Sequence, residues 1–179
     1  MEARAGVWQL HKRLFVAALI LLLAILCTSL VIVKVKTSSV AAENPFSAAV
    51  RKSAQTTLYY PRRLPHGYSI SKTGVSQPQK GVTILVLYHS SGRKIYISEE
   101  VLPSNFNLQL FYKNFRSTSD FSTAAGRVKA GLVQDSSQKR AIVSIVTYDS
   151  HPTWILLDGS ADVQLNTLIS IAKDLQPAS

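Results

Sequence analysis

One apolar run constrains this chain more than any other feature. Leu14 to Val33 reads LFVAALILLLAILCTSLVIV, interrupted only by the hydroxyls of Thr28 and Ser29 and bounded by Lys12, Arg13 and Lys34. At about 1.5 Å per residue, a helix of this length reaches roughly 30 Å, the hydrocarbon thickness of a bilayer. The pattern predicts a cytoplasmic tail at 1–13, a transmembrane helix at 14–33, a linker at 34–44 and a domain at 45–179. Lys and Arg are nearly balanced across the run, so the charge bias sets no direction. A short basic tail, one span and a long hydrophilic remainder instead predict a single-pass signal anchor in the cell membrane. The N-terminus would be cytoplasmic and the C-terminal domain outside. A secretory signal cut near Ala41 is the first alternative, opposed by the length of the run and by Lys34 and Lys36. Lipoprotein processing at Cys27 is the second, opposed by the bulk of Leu26.

Composition bounds the remainder. Of 179 residues, the first 36 hold five basic residues against one acid, and the rest hold 15 against 9. The segment beyond the span is long enough for one domain with its own core, and it is basic in its own right. Such a balance favours anionic partners without choosing among them. Cys27 is the single cysteine, so no intrachain disulfide and no Cys-based zinc site is open to this chain.

The chain order then predicts the elements. Asn44-Pro45 resembles a helix start, with Phe46, Ala49 and Val50 on one face of a short helix to about Gln55. LYYPRRLPHGYSI, 58–70, reads as an extended arm feeding a first strand from Tyr68 to about Thr73, because Pro61 and Pro65 restrict the backbone. Val82 to Tyr88 is apolar on both alternate faces and predicts a central strand. His89 to Gly92 predicts a hairpin loop, and Lys94 to Glu99 the return strand with Ile95 and Ile97 inward. Leu108, Phe111, Tyr112 and Phe115 fall at helical spacing behind Asn105 or Asn107. Strands are predicted at Gly126–Val133, Ala141–Tyr148 and Thr153–Leu157. Ala161, Leu165, Leu168, Ala172 and Leu175 form one stripe of a C-terminal helix, capped by Ser160 and stopped by Pro177. The expected class is α+β: one transmembrane helix, then a mostly antiparallel sheet of five or six strands with helices packed on one face.

YYPRRLPHGY (59–68), GRKIYIS (92–98), the isolated Gly126, TWILL (153–157) and the amphipathic end (161–175) occur in that order. Together they resemble a bacterial extracytoplasmic domain family of unknown function, found behind single spans and at the ends of anti-sigma-factor-like proteins. The resemblance covers roughly residues 56–176. It implies no activity, so Tyr60, Pro61, Leu64, Pro65, Gly67 and Trp154 match as fold markers and not as site residues. No N-terminal anti-sigma domain fits within 13 residues.

No G-x-S-x-G, H-E-x-x-H or phosphate-cradling glycine loop occurs, and no ligand cluster has metal spacing. His66, His89 and His151 each fall in a predicted turn, and His11 lies beside the apolar run. His89 stands near Ser90 and Ser91, but adjacency in sequence does not make a catalytic pair. Glu99-Glu100 reads as a strand end, and Asp158 and Asp162 as part of a helix start. Arg62-Arg63, Arg93-Lys94, Arg127/Lys129 and Lys139-Arg140 would form an anionic-partner patch if the fold brought them together. No catalytic, cofactor-binding or metal residue is assigned and no cofactor is expected. The expected function is a membrane-anchored, extracytoplasmic, non-enzymatic binding module of the bacterial cell envelope. Its expected partners are the membrane itself and an anionic lipid, an envelope polymer or a peptide. A hydrolase acting on envelope polymers is the alternative, and nucleic-acid binding rests on charge alone.

Overall fold

The computed structural model describes residues 39–135, 138–150 and 152–178. In chain order the elements are β1 (Val40–Ala41), α1 (Ala48–Ser53), β2 (Tyr59–Pro61), β3 (Arg63–Leu64), β4 (Tyr68–Gln79), β5 (Val82–His89), β6 (Lys94–Val101), α2 (Leu108–Tyr112), β7 (Phe115–Ser122), β8 (Gly126–Asp135), β9 (Gln138–Thr147), β10 (Thr153–Gly159), α3 (Leu165–Lys173) and β11 (Leu175–Pro177). Seven strands form one sheet in the order β4-β5-β6-β10-β9-β8-β7. Every neighbouring pair is antiparallel. Two meanders build it, β4 to β6 and β7 to β10, and they meet where β10 pairs with β6. The connection through α2 carries the chain from the middle of the sheet to its far edge.

Side-chain alternation selects the buried face. Leu85 and Leu87 of β5, Ile95 and Ile97 of β6, Ile155 and Leu157 of β10, and Val143 and Ile145 of β9 are all fully buried. Over them lie Leu168, Ile171 and Ala172 of α3, Val163 and Leu175 beside it, and Phe46, Leu58, Tyr59 and Leu64 of the N-terminal arm. The arm is stitched on by two small ladders, β1 with β3 and β2 with β11. Val40 and Ala41, placed in the linker by sequence, are therefore strand partners of Leu64 and Arg63. Gly126 is required by close approach, because a Cβ there would overlap the carbonyl oxygen of Val146.

Several expectations are corrected. The fold class is mostly antiparallel β and not α+β: 53% of the described residues are strand and 15% helix, and the sheet has seven strands instead of five or six. The extra strand is β7, FRSTSDFS, a polar edge whose outer side needs no apolar alternation. Its neighbouring helix shrinks to five residues behind the Asn107 cap, and Phe115 passes into the strand. The C-terminal helix likewise ends at Lys173, because Leu175–Pro177 pairs with the arm. The helices also do not share a face. α3 packs on β8, β9 and β10, whereas α2 places Tyr112 against Ser144, which alternation directs to the opposite side. Finally, the single-pass membrane protein with its domain outside is not upheld. Among the described residues no helix is long and apolar enough to cross a membrane, and the predicted span, 14–33, lies outside them.

Candidate functional site

On the face away from α3, aromatic side chains gather where α2 crosses the sheet. Asn107 accepts the Leu110 N–H through its side chain at 3.0 Å and starts this short helix. Phe106 and Phe111 pack on Trp154, with ring centroids 4.6 and 5.3 Å away. Phe111 and Tyr112 also pack on Phe115. Ser144 is fully buried beneath them. Its hydroxyl accepts the Trp154 indole N–H at 2.8 Å and bonds the Tyr112 hydroxyl at 3.0 Å. Burial pushes the Tyr112 phenol above its ordinary pKa, opposed by the Ser144 bond and by Lys129.

Beside this cluster runs a groove of about 590 Å³. Leu108, Gln109 and Tyr112 of α2 form one wall, Asp120 and Ser122 of β7 the other, and Arg127, Lys129 and Val146 lie between. Lys129 is held by Asp120 at 3.0 Å and lies over the Tyr112 ring, 5.4 Å from its centroid. Arg127 is exposed and has no ion pair among the described residues.

A second, polar cleft of about 480 Å³ opens at one end of the other face. Arg51, Thr56, Thr57, Leu58, Asp149 and Thr153 line it. Asp149 accepts from the Thr147 hydroxyl at 3.1 Å, and that hydroxyl accepts the Thr153 N–H at 2.9 Å. Next to Leu58 the Tyr59 N–H donates to Glu99 Oε2 at 2.8 Å. Glu99 is 1% exposed, and its Oε1 has no hydrogen-bond partner among the described residues. Burial raises this carboxyl well above the ordinary range, with only the Tyr59 N–H opposing. Sequence reading placed Glu99 at a strand end. The signal that it points inward was present, since it continues the inward series Ile95, Ile97 at every second residue.

The histidines do not converge on either depression. His89 Nδ1 meets the Ser91 hydroxyl at 2.8 Å, inside the hairpin turn after β5. The same nitrogen accepts the Ser91 N–H at 3.0 Å, and the Arg93 guanidinium lies against the ring, 3.1 Å from Nε2. Loss of water around the ring, then Arg93 and His66, hold the imidazole below its ordinary pKa. A general base works best with its pKa near the operating pH, and here a cation lowers it, while among the described residues no carboxylate bonds the ring. His66 is exposed, and His11 and His151 lie outside the described residues.

The basic pairs are dispersed. Arg62 and Arg63 both reach Asp174, at 3.6 and 3.3 Å. Lys94 lies over the Tyr88 ring, and Arg140 pairs with Asp158 at 2.9 Å. The pairs at 93–94 and 139–140 stand where β10 ends, near Asp158 and Gly159. Arg127 and Lys129 stand toward the opposite end, where Gly126 pairs with Thr147. Among the described residues no group of three His, Cys, Asp or Glu is placed to hold a metal ion. Comparison with family models, curated proteins and solved structures finds no match to this chain.

Proposed function

We propose that the domain is a non-catalytic binding module whose groove beside α2 takes an anionic amphiphile. The observation that carries this reading is the make-up of the groove. Leu108, Tyr112 and Val146 line it, and so does Arg127, which forms no ion pair among the described residues. Ligand sites of this kind are concave, mostly apolar and supplied with a few placed polar groups. An acyl or other apolar chain would lie along Tyr112 and Val146, with its acidic end at Arg127. Lys129, already engaged by Asp120, would contribute less.

Isothermal titration of the protein with laurate, and with dodecyltrimethylammonium as the cationic counterpart, tests the reading. Laurate is expected to bind and the cation not. Arg127→Glu is expected to weaken laurate about tenfold or more, roughly 1.4 kcal/mol. Equal binding of the two amphiphiles, or an unchanged affinity in the variant, would count against it. A hydrolase drawing on His89 and Ser91 has no comparable observation behind it, because the pair sits in an exposed turn beside a guanidinium.

A further inference from the structure

Glu99 has no role in the groove, and its surroundings are unusual for a carboxyl. From β5 the residue opposite it is Thr83, and from β10 it is Ile155, with Thr153 two positions along on the same face. From the arm it meets Tyr59, whose phenol is itself raised by burial, by Asp149 and by Glu99. Asp149 is the other acid of this corner. Arg51, the cation of the neighbouring cleft, donates to the Phe46 carbonyl at 2.8 Å. Glu100 alternates to the opposite face of the sheet. No Lys, Arg or His among the described residues forms an ion pair with Glu99.

A buried carboxylate without a counter-charge is strongly disfavoured, whereas a protonated carboxyl is tolerated. The group that Glu99 holds is the first residue of β2, a three-residue strand whose ladder partner is β11. β11 in turn is followed by the Ala178 N–H bond to Leu58, at 2.7 Å. The arm and the C-terminal strand thus dock on the sheet through a corner whose centre is one acid with no counter-charge among the described residues.

We infer that Glu99 is a proton-controlled latch: while it carries its proton, β2 and β11 stay docked beside the polar cleft, and loss of the proton releases them from the sheet. Undocking lets water and solvent cations reach the carboxylate, which is what the ionised form lacks when docked. The latch is independent of the groove beside α2.

Amide hydrogen exchange of the full chain across pH 5 to 9, corrected for intrinsic chemistry, tests this. Opening at Tyr59, Gln176 and Ala178 is expected to rise about tenfold per pH unit between the ordinary glutamate pKa, about 4.3, and the raised value, and then to level off. Val143, at the centre of the sheet, is expected to keep its protection. Glu99→Gln, which cannot ionise, is expected to give a flat profile at the arm. A flat profile in the unmodified protein, or parallel profiles in both, overturns the latch. Should the Gln variant fail to fold, a carbon-13 titration of the Glu99 carboxyl in the unmodified protein decides. A midpoint above the ordinary value that coincides with arm opening supports the latch. A midpoint at the ordinary value, or one without arm opening, overturns it.

Discussion

Ser144 shows how much one small polar residue can organise. It interrupts the aliphatic stretch 141–146 of its strand, between Val143 and Ile145, and alternation turns it to the α2 side. There it satisfies both the Trp154 indole and the Tyr112 phenol. Leaving a buried donor without a partner costs about 1–3 kcal/mol, more than a hydrogen bond contributes on average. Ser144→Ala is therefore expected to lower unfolding stability by about 1–3 kcal/mol in a urea titration. It should also shift Trp154 emission, since the indole N–H must then seek water. An unchanged emission and midpoint would mean that α2 is held by ring packing alone. In Glu99 the balance is reversed, because a single backbone donor meets a group that two strands and the arm have removed from water.

At the scale of elements, α3 covers the buried face over β8, β9 and β10. Its stripe is legible because Leu165, Leu168 and Ala172 recur at helical spacing. Its end is not, because Leu175 continues the stripe by spacing yet belongs to a strand. The ladder with β2 offers backbone partners that a helix terminus lacks, and that pairing is non-local. Leu168 is fully buried against the sheet. Leu168→Ala is expected to cost about 2–5 kcal/mol, measured as a lower denaturant midpoint with an unchanged slope. A cost below about 1 kcal/mol would mean that the helix is a loose cover and that the sheet closes without it. β7 makes the complementary point. Its sequence, RSTSDFS after Phe115, carries no apolar period, and it forms because β8 presents an open edge. Ser117, at φ 52°, marks the bulge that shifts its register between Arg116 and Ser119.

For the domain as a whole, the pH dependence of stability follows from groups that burial perturbs. Glu99 and Asp158 are both raised, Glu99 by burial and Asp158 by burial against the lowering pull of Arg140. A carboxyl raised on folding contributes stability that is fully present below its unfolded pKa, about 4, and is lost as pH rises through the folded value. Tyr59, Tyr68 and Tyr112 are raised as well, so their contribution is lost only on the alkaline side of about 10. Melting temperature is therefore expected to fall as pH rises from about 5 toward 8, with Glu99→Gln removing most of the slope and Asp158→Asn a smaller part, while His89, lowered on folding, contributes in the opposite sense. A melting temperature that climbs over this interval would show that the lowered His89, whose contribution grows as pH rises, outweighs the two raised acids.

The chain's local chemistry was enough to determine most of the strands. β5, β6, β9 and β10 are written in alternating or continuous apolar runs, and Gly92 marks the hairpin between β5 and β6 with φ 85°. Inward positions such as Ile95 and Ile97 followed from parity, whereas Glu99 read as a strand end although it continues the same series. Tertiary structure alone decided that the two meanders join through β6 and β10, that the polar segment 115–122 becomes an edge, and that α2 and α3 lie on opposite faces. It also decided the two candidate sites. The groove needs α2 laid across β8 and β9, and the latch needs the Tyr59 amide brought 40 positions along the chain to Glu99. Periodicity acts between neighbours a few residues apart, whereas strand order, and any site built between distant segments, is settled by which apolar faces and open edges find each other in the folded chain.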